Sequence, residues 1–125
     1  MKYKLFVSAN QKELRNERFA IKEVITGNAT LRGFFDVFLF EDLPAKGKSP
    51  VKTYLKHVEE SDIYICIIGM EYGIKGKDGL SATEREYRRF LKRKPEDEII
   101  AFVKGANQED PKRDKDTREF LNEIK

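Results

Sequence analysis

Two short runs constrain this chain more than anything else in it. One is Ile-Tyr-Ile-Cys-Ile-Ile from Ile63 to Ile68, and the other is Ile-Ile-Ala-Phe-Val within Glu98 to Val103. Neither alternates apolar with polar, as a strand with one wet face does; such runs read as strands of a parallel sheet covered on both faces. Two further apolar runs, Tyr3 to Val7 and Phe34 to Phe40, complete a set of four. Helical patterns fall between them. Residues 11–26 place Leu14, Ile21, Val24 and Ile25 on one face. Residues 50–59 carry Val51, Tyr54, Leu55 and Val58 at i, i+3, i+4 and i+7 behind a Ser49-Pro50 start. Residues 82–93 group Thr83, Tyr87, Phe90 and Leu91, and residues 117–124 group Phe120, Leu121 and Ile124 behind Asp116 and Glu119. The order β-α-β-α-β-α-β-α predicts a three-layer α/β sandwich with right-handed crossovers and strand order 2-1-3-4.

Length and charge narrow the class. A chain of 125 residues fits one domain, residues 1–125. Residues 1–62 hold 11 basic and 9 acidic side chains and residues 63–125 hold 14 and 13, so neither half is a basic arm and the charge by itself argues neither for nor against nucleic acid, which is not among the expected partners. One cysteine excludes an internal disulfide and a CxxC knuckle, and the single His57 excludes a multi-histidine metal site. No apolar run approaches the length of a membrane span, and no leader opens the chain. A reducing, cytoplasmic setting without membrane contact is the expectation.

Open parallel sheets bind ligands beyond the carboxyl ends of their strands, where the winding direction reverses. For order 2-1-3-4 that point lies between the first and third strands. The first strand leaves through Ser8-Ala9-Asn10, and the third through Gly69, Tyr72 and Gly73 toward a helix that starts near Ser81. Asn10 with Glu13, and Ser81 with Glu84, are spaced as capping boxes; Thr83 with Glu86 is a second register. The glycines at 69, 73, 76 and 79 lack the Gly-Lys-Ser/Thr of a Walker loop and read first as loop freedom. Glu84 and Glu86 flank the Tyr87/Phe90 stripe on opposite margins, one capping or solvated and the other free to face the crevice; spacing does not choose between them. Tyr72 offers a ring for a base. Arg88, Arg89, Lys92, Arg93 and Lys94 read as a solvated helix end, Cys66 as core, and Glu41-Asp42 as a solvated turn.

Several segments together resemble a bacterial and archaeal TIR-like family of unknown function. They are Leu5-Phe6-Val7-Ser8, then Glu13-Leu14-Arg15-Asn16-Glu17-Arg18, Ser61-Asp62-Ile63, Glu71-Tyr72-Gly73, and Ser81 with Thr83-Glu84 and Glu86-Tyr87. That family is related to the Toll/interleukin-1 receptor and nucleoside deoxyribosyltransferase folds, both flavodoxin-like. The resemblance implies a parallel sheet of four or five strands and a domain standing at the N-terminus of a longer signalling or defence protein. It also implies a nucleotide such as NAD as ligand or substrate with no required cofactor, and partners through self-association or a downstream effector domain. In the enzyme relatives a helix carboxylate works at the ribose anomeric carbon, behind Thr-x-x-Glu. Thr83 and Glu86 match that motif, which makes Glu86 the catalytic candidate for an N-glycosidase or deoxyribosyltransferase-like reaction. Ser8, Asn10, Gly69, Tyr72, Gly73, Ser81 and Thr83 are then the substrate-binding candidates. Ser8-Ala9-Asn10 departs from the hydroxyl cluster usual after the first strand.

Overall fold

A computed structural model describes residues 2–10, 12–39, 50–93, 99–105 and 111–124 of the chain. The elements are β1 (Tyr3–Ala9), α1 (Arg15–Gly27), α2 (Ala29–Phe34), β2 (Phe35–Phe38), α3 (Pro50–Glu60), β3 (Ile63–Ile68), α4 (Ala82–Arg93), β4 (Ile99–Val103) and α5 (Lys115–Ile124). The four strands form one all-parallel sheet in the order β2-β1-β3-β4, as the alternation of elements predicts.

Side chains alternate across the strands, so each face of the sheet builds its own core. Leu5, Val7 and Ala9 of β1 join Ile65 and Ile67 of β3 against Leu14 and Ile25. On the opposite face Phe6, Tyr64, Cys66 and Ile68 meet Leu55 and Val58 of α3, Tyr87 and Phe90 of α4, and Phe120 and Leu121 of α5. An aromatic ladder crosses that second face. Phe38 stacks on Phe6 at 5.4 Å, Phe6 on Tyr64 at 6.0 Å, and Tyr64 on Phe90 at 5.4 Å between ring centres. The register that sets Phe6 beside both Phe38 and Tyr64 produces the ladder. His57 ends it, stacked on Phe38 at 4.0 Å, so the lone histidine is a packing residue.

Four local expectations change. β4 is not covered on both faces: Ile100 is 43% and Phe102 54% exposed, because strand order puts β4 at the sheet edge and α1 covers only the strands nearer the middle. The helix α2 falls where only a connection was expected, and it takes Phe34 from the start of β2. The first helix begins at Arg15, behind a turn over residues 12–14. The last begins at Lys115, with Asp114 rather than Asp116 preceding it: the Arg118 amide bonds the Asp114 carbonyl, and Asp116 pairs with Lys75. Ser49, Phe40, Glu41, Asp42, Lys94 and Glu98 lie outside the described residues, as do the side chains of Val51, Tyr54 and Arg93.

The α2 start is a side-chain cap. The Asn28 carboxamide oxygen accepts from the amides of Thr30 and Leu31, both at 3.0 Å. Replacing Asn28 by Ala removes both acceptors and is expected to cost about 1 kcal/mol. Urea unfolding of the variant checks this, and a loss confined to α2 identifies the cap as the cause.

Candidate functional site

The carboxyl edge of the sheet is tied together by side chains, two of them buried arginines, that reach backbone groups no strand ladder satisfies. Asn10 leaves β1 and caps the turn behind it, its carboxamide oxygen accepting from the amides of Lys12 and Glu13 at 3.1 Å each. Arg18, almost fully buried, donates to the Asn10 carbonyl at 2.9 Å. Arg113, equally buried, donates to the Gly69 carbonyl at 2.7 Å and the Lys104 carbonyl at 2.9 Å, clamping the ends of β3 and β4 together. Asp114 beside it accepts the Tyr72 amide at 3.0 Å, and its own amide donates to the Met70 carbonyl at 2.9 Å. From the other side Glu13 accepts the amides of Met70 at 2.8 Å and Glu71 at 3.0 Å.

Over these ties lies a crevice of about 410 Å³. Asn10, Tyr72, Gly73, Ser81 and Thr83 line it, with Lys12 and Ile74 among the other contributors. Gly69 lines a much smaller cavity adjoining it. Gly73 is required by its backbone, with φ of +98°, a region that side chains disfavour. Ile74 is 87% exposed, an apolar side chain held at the mouth.

Both helix carboxyls are buried, on opposite margins of the α4 stripe, and neither is solvated. Ser81 caps α4 by accepting the Glu84 amide at 3.2 Å. The Glu84 carboxylate itself accepts the Tyr72 hydroxyl at 2.7 Å and pairs with Arg88 at 2.7 Å. Tyr72 is thus packed against α4 with little of its ring open; burial, and then the bond to Glu84, raise its hydroxyl pKa. Glu86 turns the other way, to the sheet. The Ser8 hydroxyl donates to it at 2.5 Å, and the carboxyl is 6% exposed. Burial pushes the Glu86 carboxyl up to about 8, against the smaller opposing pulls of the Ser8 bond and the Arg85 and Arg18 charges. Neither Ser8 nor Glu86 is among the residues lining the crevice. Burial also drives the Cys66 thiol up to about 12, which leaves it inert.

Of the residues singled out from sequence, five therefore share the crevice wall, Gly69 adjoins it, and Ser8 with Glu86 form a separate buried pair. Sequence reasoning missed Arg113 and the second role of Glu13. The Leu14…Glu17-Arg18 segment is structural: Leu14 is core, Glu17 pairs with Lys104 at 2.7 Å, and Arg18 holds the end of β1. Three arginines of α4 are paired. Arg85 is bidentate to Asp78, Arg88 meets Glu84 and Glu123, and Arg89 meets Glu59. Among the described residues no helix is long and apolar enough to cross a membrane.

Fold and site together define a class: a doubly wound, all-parallel α/β domain with an open crevice at its topological switch point. The chain belongs to the DUF4062 family, a domain of unknown function, which it matches over residues 4–125. No curated protein matches it.

Proposed function

We propose that this domain is a TIR-like nucleotide-binding module of the signalling or defence type, holding its ligand in the crevice between the ends of β1 and β3. The crevice itself carries this reading. Its volume falls in the range of small-ligand sites, roughly 300–1,000 Å³, and it lies where parallel sheets bind nucleotides. Ser81 and Thr83 bring hydroxyls for ribose or phosphate oxygens, Lys12 brings positive charge, and Ile74 brings an apolar surface for a base. Calorimetric titration with NAD, ADP-ribose, ATP and adenosine tests it. Saturable binding of at least one is expected. Lys12→Glu is expected to weaken the phosphorylated ligands several-fold and to leave adenosine unchanged. No saturable binding by any of the four overturns the reading.

A second reading, cleavage of the N-glycosidic bond of NAD or a nucleoside, is favoured by one observation. Glu86 is a carboxyl with a raised pKa beside a ligand crevice, as a working acid or base requires. It sits beneath the crevice wall, so this chemistry requires α4 or the 69–76 loop to shift and uncover it. Nicotinamide release from NAD that Glu86→Gln abolishes supports this reading. No release by the unaltered chain excludes it, and full activity in Glu86→Gln excludes Glu86 as the reacting group. Self-association and coupling to an effector domain are compatible with either reading.

A further inference from the structure

Backbone amides that leave a parallel strand without a ladder partner must be satisfied by something. After β3 the amides of Met70 and Glu71 converge on one carboxylate, that of Glu13, at 2.8 and 3.0 Å, one amide to each oxygen. Successive amides converging on an oxyanion are the geometry by which backbone nests hold phosphate. Gly69 permits the approach: a Cβ there would stand 2.6 Å from a Glu13 carboxylate oxygen, so a larger residue would push the carboxylate off this turn. The Lys104 ammonium, bonded to Glu17, also feels the Glu13 charge.

A second, independent observation points to a ligand with more oxygens than a carboxylate. The hydroxyl of Thr117 is buried and has no hydrogen-bond partner among the described residues. Thr117 lines the same small cavity as Gly69 and Glu71, and the open space there, about 10 Å³, suits a single oxygen-sized group. Both carboxylate oxygens of Glu13 are already engaged. Thr117 and Glu71 line one small cavity, so a ligand oxygen that enters it from the Glu71 amide meets a hydroxyl without a partner among the described residues.

We propose that the Met70 and Glu71 amides and the Thr117 hydroxyl form an oxyanion cradle, which Glu13 fills from within the chain and yields to the phosphate of a ligand. This rests on the nucleotide-binding reading for its ligand, not for its chemistry. Glu13 is placed to leave: it stands half-buried on the turn before α1, where a side-chain rotation carries the carboxylate out toward solvent.

Amide chemical shifts of the full chain, titrated with sodium phosphate and pyrophosphate, test the cradle. In Glu13→Ala, the Met70 and Glu71 amide signals are expected to shift saturably, with an apparent Kd at least tenfold below that of the unaltered chain. Thr117→Val in that background is expected to remove several-fold of the gain. If Glu13→Ala does not fold, Glu13→Gln decides: it keeps the side chain's bulk but not its charge, and a gain of at least threefold at the same two amides is expected. A folded variant without that gain overturns the proposal. NAD binding that leaves both amides unmoved overturns it too, while sparing the nucleotide reading. Phosphate capture by Glu13→Ala in a chain that binds no nucleotide keeps the cradle and removes the nucleotide reading.

Discussion

Glu86→Gln should change the sign of its effect on stability across the pH range. The ordinary carboxyl value is 4.5, and burial in the fold pushes Glu86 up to about 8. Between those values the folded state keeps a proton that the unfolded state releases. Stability therefore falls as pH climbs through this window, and the loss levels off above about 8. Glutamine keeps the oxygen that accepts from Ser8 and cannot ionise. Near pH 5 the extra buried amide hydrogen leaves the variant about 1–2 kcal/mol less stable than the parent. By pH 9 the difference should have moved toward the variant by on the order of 3 kcal/mol, since each pKa unit of displacement corresponds to about 1.4 kcal/mol and relaxation returns part of it. Urea unfolding at pH 5, 7 and 9 measures the change. A difference independent of pH would mean that Glu86 titrates like an exposed carboxyl and that its burial against Ser8 is wrong. Fold and chemistry separate here: a stable Glu86→Gln variant without nicotinamide release isolates the carboxyl as the reacting group.

Replacing Arg113 by Met should be among the most damaging single changes outside the core. Methionine fills most of the volume but donates nothing, so the buried Gly69 carbonyl and the part-buried Lys104 carbonyl lose their donor. Each lost charge-assisted bond to a buried acceptor is worth about 1.5–3 kcal/mol, which puts the cost at roughly 3–5 kcal/mol. The effect should also be local. Arg113 and its neighbour Asp114 hold the Gly69 and Met70 carbonyls and the Tyr72 amide, so the loop that forms the crevice wall loosens first. Hydrogen exchange should speed up at Tyr72 and at Lys104, whose amide bonds the Ile68 carbonyl, before it does so at Phe6 in the middle of the sheet. A loss under 1 kcal/mol would show that solvent reaches these carbonyls and that Arg113 is not the clamp.

Much of the architecture was legible before any coordinates. Unbroken apolar runs mark strands covered on both faces, three-to-four-residue spacing marks helices, and their alternation leaves few topologies open; strand order 2-1-3-4 followed. Local capping was legible too, because Asn10 and Ser81 bond amides only two or three residues away. The helical wheel separated Glu84 from Glu86 onto opposite margins, a purely local fact. What each carboxyl meets there was not legible. Ser8 lies 78 residues from Glu86, the Glu13 carboxylate 57 and 58 residues from the amides it holds, and the Gly69 carbonyl 44 residues from Arg113. Propensity and spacing rules reach about one helical turn along the chain. Contacts at these separations are set by crossover handedness and strand register, which bring the ends of β1, β3 and α4 to one edge. The same limit explains β4: its apolar run reads like that of β3, and only its place at the edge of the finished sheet leaves Ile100 and Phe102 uncovered. The sequence alone determined the four strands, four of the five helices and the edge at which the crevice lies. The tertiary structure decided which polar groups are buried there and what each one holds, because desolvation and pairing exist only once distant segments have met.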